Sequence, residues 1–231
     1  MTTLTATDDP TAARRTRLVA YARWIEQTCR DDPGARTALR SGLRRPLDDV
    51  RRMHRFVTPW LAQGRPVADT EQRAYYAVAA LIAAQSRGSS TLPATSQEPN
   101  TEPNMPPPAR GASEQRYGTS LGTAFALAVT DSPSRDRKMR ESTAESRLNL
   151  LTRQSVNGLH RHLPAAVGYL CDLDVPVDWA QLLSDLIAWP AHHGRISRRW
   201  LQDYYRLCTQ ALREQAALAD LHESEQASPA E

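Results

Sequence analysis

The chain has 231 residues, 40% of them hydrophobic, five Trp, two Phe and a formal net charge of +3. That is enough for one large domain or two small ones. Three unpaired, widely spaced cysteines without a CxxC pair exclude a zinc-ribbon or disulfide framework, and no apolar leader or membrane-length run is present, which predicts a reducing cytoplasm.

Ala, Leu, Arg and Gln are plentiful and strand-like alternation is absent, so an all-α protein is expected. Residues 1–13 read as a disordered tail. Residues 14–87 read as an N-terminal helical half. Within it Leu18, Tyr21, Ile25 and Cys29 step by three and four from about Thr11 to Arg30. Asp32-Pro33 restarts a helix, with Asp as cap and Pro in its first turn, and Gly42 ends it. Pro46 opens a further predicted helix with Met53, Phe56, Val57 and Trp60 on its apolar stripe. Arg51, Arg52 and Arg55 fall on the opposite side. Asp69 with Gln72 predicts a capped helix burying Tyr75, Val78, Ala79 and Ile82.

Residues 88–113 hold six prolines among Ser, Thr, Asn and Gly and read as a flexible loop joining two helical bundle halves. The C-terminal half, 114–213, begins with a helix from near Ser113 through Leu121, Phe125 and Val129. Ser142 and Glu145 have the spacing of a capping box, placing a helix start just after Arg140. Leu159, Leu163, Val167 and Leu170 mark the next helix. Asp178 and Gln181 cap a segment burying Trp179, Leu182, Leu183, Leu186 and Trp189. A last helix starts near Gly194 and runs into an acidic tail, 214–231.

Charge is unevenly placed. Residues 1–13, 88–109 and 214–231 hold nine acids and no Lys or Arg, so the rest of the chain sets 29 bases against 17 acids and carries +12. A body of that sign suits a polyanionic partner. Lys138 is the single lysine; Arg presents a planar fork suited to phosphate, and a GC-rich genome would produce the same bias.

Arg135, Arg137, Lys138 and Arg140 form a basic approach to the helix at 141, able to neutralise phosphates without reading bases. Arg195, Arg198, Arg199, Arg206 and Arg213 share one stripe of the last helix, opposite Trp200, Leu201, Tyr204, Cys208 and Leu212. A solvated helix face fits that stripe equally well. Arg153 falls on a polar side, whereas Arg147 sits at the edge of an apolar face and suits a structural anchor. The pairs His160/His162 and His192/His193 lack the spacing of three or four and the nearby carboxylate of a helical zinc site. No HExxH, GxSxG or glycine-rich phosphate loop is present. Neither a catalytic group nor a cofactor is expected; a metal-dependent nuclease on the His pairs is the weaker alternative.

Several segments in order carry a family resemblance: RTALRSGLRRPLDDVRRMHRFVTPWL, AYYAVAALIAAQSR, ESTAESRLNLLTRQSVNGLHRHLPAAVGYL, VPVDWAQLLSDLIAW and RRWLQDYYR. Together they resemble the CasB family, the small subunit of the type I-E CRISPR surveillance complex, Cascade. The likeness spans the chain apart from its tails and the proline-rich segment. It implies an all-helical, non-enzymatic protein present as two copies beside the backbone subunits, the large subunit and the guide RNA. Such a subunit helps hold opened target DNA, above all the displaced strand of the R-loop. The residues expected to contact nucleic acid are Arg44, Arg45, Arg51, Arg52, Arg55, Arg135, Arg137, Lys138, Arg140, Arg153, Arg195, Arg198 and Arg199. The alternative is a scaffold whose basic faces dock on other protein subunits.

Overall fold

The computed structural model describes residues 10–61, 66–85, 118–131 and 138–226, with side chains to residue 220. The segment 88–113, the helix start near Ser113, Arg135 and Arg137, and residues 1–9 and 227–231 of the tails lie outside the described residues.

Helix α1 (Pro10–Asp31) buries Leu18, Tyr21, Ala22 and Ile25, one stripe at helical spacing. Asp32 caps α2 (Pro33–Arg40), its carboxylate accepting the Gly34 amide at 2.7 Å, with Pro33 at the first helical position.

The helix expected from Pro46 does not form as one piece. Residues 47–60 fold as 3₁₀ turns at Leu47–Asp49, Arg51–Met53 and Thr58–Trp60 around a four-residue helix, α3 (His54–Val57). Val50 interrupts the run with φ −102° and ψ 37°, and Pro59 has no amide to donate. Three residues per turn still leave i and i+3 on one side. Met53 and Val57 are therefore fully buried and Phe56 and Trp60 pack on the core.

Helix α4 (Asp69–Ala84) buries Tyr75, Val78, Ala79 and Ile82 as the periodicity predicts. Asp69 is its first helical residue and not its cap; Ala68 stands at the cap without a side-chain bond, and Gln72 Nε2 donates back to the Val67 carbonyl at 2.8 Å. Arg36 of α2 closes the other end, donating to the Ala83 and Gln85 carbonyls. A guanidinium there satisfies orphan carbonyls and meets the negative end of the helix dipole.

Helix α5 (Leu121–Thr130) is capped by Ser120, and α6 (Glu141–Thr152) follows. The capping box at Ser142 and Glu145 is absent: Arg140 occupies the cap position with no side-chain bond, so both residues already lie within the first turns of α6. Helix α7 (Val156–Asp172) is capped by Ser155. Helix α8 (Trp179–Gln226) is preceded by Asp178, whose Oδ1 accepts the Gln181 amide at 2.9 Å. Pro190 cannot supply a helical hydrogen bond, and two residues on His192 leaves helical geometry (φ −134°, ψ 22°), so α8 has two limbs, 179–191 and 193–226.

The protein is all-α. Helix α8 is the spine: α5 runs along it, α1, α4 and α6 lie against it, and α2 and α7 pack on α4. Trp179, Trp189, Trp200, Tyr21, Tyr204 and Phe125 are fully buried in one continuous cluster drawn from both sides of the 86–117 segment. Gly122 marks a close approach of α5 to α8, since a Cβ there would stand 1.8 Å from the Trp200 carbonyl oxygen. Leu212 departs from expectation. It is 63% exposed, because the second limb of α8 has run past the bundle by that point.

Candidate nucleic-acid interface

Arg44 and Arg45 sit on the turn after α2. Gly42 lets this turn close onto the core: a Cβ there would stand 2.1 Å from Met53 Sδ. The turn carries Arg44 in the left-handed region, φ 62°. For a residue with a Cβ that costs about 1–2 kcal/mol. Both arginines line a cavity of about 380 Å³ between this turn, α4 and α7. Arg73 from α4 and Arg161 from α7 line it too, over an apolar floor that includes Leu43, Leu47, Leu81 and Leu163. No Asp or Glu is in that lining. His160, also in the wall, is held neutral, its pKa lowered to about 4 by burial and then by Arg73.

Arg51, Arg52 and Arg55 are exposed, as predicted, and line a shallow surface against Gly34, Thr37 and Ala38 of α2. Arg55 lays its guanidinium over the Phe56 ring, 4.4 Å from the centroid. The neighbouring groove is lined by Arg36 and Arg40. Residues 33–55 thus present arginines on successive surfaces, with Asp48 and Asp49 exposed on the turn between them.

The stripe on α8 divides. Arg195, Arg198, Arg206 and Arg213 are exposed, with Arg206 paired to Asp203 at 2.9 Å. Arg199 turns inward and donates to Asp185, which is 3% exposed. It is a structural ion pair across the His192 break, which corrects its assignment to the outer face. Asp185 also accepts Trp200 Nε1 at 2.7 Å and Gln181 Nε2 at 2.8 Å. Burial pushes its carboxyl pKa up, against the opposing pull of Arg199. Gln181 extends the network to Arg15 of α1 (3.3 Å) and the Gly118 amide (2.9 Å), while Arg15 also meets Asp178 at 3.2 Å. Beside the network, Arg14, Arg15, Arg195, Arg199 and His192 line a cleft of about 460 Å³ between α1 and α8.

Lys138 is exposed, and its ammonium donates to the Thr130 carbonyl at 3.0 Å, closing α5. Arg140 and Arg153 are exposed at the two ends of α6. Arg147 stacks over Tyr169 at 4.7 Å, the anchoring role expected of it. Among the described residues no group of three His, Cys, Asp or Glu converges on a metal-sized site. Cys171 and Cys208 are buried and Cys29 is half-buried, with Cys29 and Cys171 raised to about 11 chiefly by burial. No described helix is long and apolar enough to cross a membrane.

Sequence reasoning missed Arg14, Arg73 and Arg161. Arg161 stands between His160 and His162, and no local signal in the sequence marks its place on the cavity wall.

No curated protein matches the chain. The chain is 32% identical to a subunit of a solved CRISPR RNA-guided surveillance complex, with TM-score 0.68, covering 87% of this chain and 98% of that one. Two further similar structures share the fold. CasB of M. ruber has 24% identity, TM-score 0.58 and coverage of 87% and 97%. CasB of Thermus thermophilus has 22% identity, TM-score 0.56 and coverage of 80% and 96%. The description "CRISPR-associated protein Cse2" belongs to the family model that residues 35–205 match, a span holding the arginine-bearing turns, the cavity and most of the α8 spine, and the chain is a member of that family.

Proposed function

We propose that the chain is a non-enzymatic small subunit of a type I-E CRISPR RNA-guided surveillance complex, Cascade. In this reading it binds nucleic-acid backbone without sequence preference and stabilises opened target DNA, above all the displaced strand of the R-loop. Its partners are the backbone subunits and large subunit of the complex, the guide RNA–target DNA R-loop and a second copy of itself. The observation that carries the reading is the pair of arginine-lined surfaces at 42–50 and 51–55, neither with a carboxylate in its lining, on a chain of this family.

The physical logic is direct. Exchange of a DNA duplex for an RNA–DNA heteroduplex is nearly balanced, so contacts that hold the displaced strand oppose rezipping. Guanidiniums that meet phosphates accept any target sequence. Arg44, Arg45, Arg51, Arg52, Arg55, Arg195 and Arg198 are described candidates for that role, with Lys138 and Arg140 before α6 and Arg153 at its end.

A second reading, a scaffold that docks on other subunits, draws support from Tyr205, Leu212 and Leu218. These are exposed on the outer limb of α8. Charge reversal at Arg51, Arg52 and Arg55 in the assembled complex separates the two. Loss of displaced-strand retention with assembly intact supports DNA holding, and failed assembly supports the scaffold.

A further inference from the structure

The cavity behind Arg44 and Arg45 is more than a basic patch. A phosphate-tracking surface needs only exposed cations, whereas here the cations ring an apolar floor. At about 380 Å³ the space lies within the range of small-molecule pockets. An isolated phosphate would leave Leu43, Leu47, Leu81 and Leu163 in contact with nothing it could use. A purely apolar ligand would leave Arg44, Arg45, Arg73 and Arg161 without a counter-charge. An occupant that satisfies both joins a body able to rest a face on apolar side chains to one or more phosphates.

The wall chemistry narrows the class further. His160 is neutral at physiological pH, so its ring carries one N–H donor and one acceptor nitrogen without adding charge. Tyr76, 5% exposed, forms part of the wall with its hydroxyl tied to His54 Nδ1 at 2.6 Å, so the open planes are those of the arginines. Arg73 is held by Asn157 across the α4–α7 gap. Guanidinium planes and aromatic rings are the surfaces on which unstacked bases rest in single-strand recognition. Arg44 is meanwhile kept at the rim in a backbone conformation unfavourable to any residue with a Cβ.

We propose that this cavity captures one unstacked base of the bound single-stranded DNA, with the flanking phosphates on Arg44, Arg45, Arg73 and Arg161. The inference rests on the reading of the chain as a single-strand-binding subunit and adds a base-sized anchor to it. Capture is sequence-tolerant, because every base has a π-face and the floor offers no donor–acceptor code.

The test compares an oligothymidylate with an abasic strand of the same length and phosphate count, each labelled at one end, by fluorescence anisotropy with the full chain. The expected result is about 5- to 100-fold weaker binding of the abasic strand at equal salt, with the same salt slope for both. Ala77→Phe narrows the cavity from the half-exposed side of α4 and leaves the arginines in place. It is expected to close that gap, and Ala77→Leu is a smaller filler should Phe prevent folding, which circular dichroism reports. Equal affinity of the wild-type protein for both strands overturns base capture and leaves phosphate tracking standing. A gap that persists in a folded filler variant puts the base elsewhere and also overturns it. Binding of neither strand at low salt removes both readings.

Discussion

Arg199 Nη2 donates to Asp185 Oδ1 across the break in α8 at His192, so one ion pair fastens the two limbs of the longest helix to each other. The pair is nearly buried on the carboxylate side, and Trp200 and Gln181 occupy other acceptor positions of Asp185. Removing the Asp185 carboxylate leaves the buried Trp200 Nε1 without its acceptor, whereas the Arg199 guanidinium, about a third exposed, can be hydrated. Asp185→Ala is expected to lower stability by about 1–3 kcal/mol, read from chemical denaturation. Asp185→Asn should fall well short of that loss, since its amide oxygen can still accept from Trp200.

His160 gives a pH prediction. Its pKa is lowered from 6.5 to about 4, first by burial and then by Arg73. A depressed histidine is protonated more readily in the unfolded chain than in the native one. Stability should therefore be full above about pH 6.5 and fall as pH drops toward 4, by roughly 3 kcal/mol in total. Denaturation curves at a series of pH values check this, and His160→Gln should flatten the slope in that window.

Gly122 should tolerate no side chain. Its Cβ position faces the backbone carbonyl of Trp200 at 1.8 Å, and a backbone atom cannot step aside without moving α8. Gly122→Ala is expected to cost about 3 kcal/mol, the upper end for overpacking, as a lowered midpoint in thermal or denaturant unfolding.

Arg44 is expected to trade stability against binding. Gly at this position removes the cost of φ 62° and should raise stability by up to about 1 kcal/mol. The same change removes one guanidinium from the cavity rim and should weaken single-strand binding. A variant that is stabler and binds less well would separate Arg44 from residues retained for the fold.

Much of the helical framework was legible because it follows from periodicity and caps. The stripes of α1, α4 and α7 and the caps at Asp32 and Asp178 stand where the spacing puts them. The misses have local causes. Met53 to Trp60 has the apolar spacing of a helix, but that spacing is shared by successive 3₁₀ turns, and periodicity alone does not separate them. The helix expected just after Arg140 does start there, at Glu141, but Ser142 and Glu145 form no capping box because Ser142 falls inside the helix and not at its cap. For the site, Arg51, Arg52 and Arg55 were legible as the polar side of a pattern. Arg199 was not, because its orientation depends on Asp185, fourteen residues earlier on the other limb of α8, a pairing that has no signature in the sequence. Arg73 and Arg161 join Arg44 only through the packing of α4 against α7, a long-range contact with no local signature.

The central claim is sequence-independent single-strand binding through arginine–phosphate contacts, and the most direct measurement is a salt series. The full chain is titrated against labelled single-stranded DNAs of three unrelated sequences. With three to five phosphates neutralised, log Kobs should fall against log salt with a slope of about −2 to −3.5. The three sequences should coincide, and Arg51→Glu, Arg52→Glu and Arg55→Glu together should flatten the slope. A slope near zero, a strong preference for one sequence, or no binding at low salt would contradict the account.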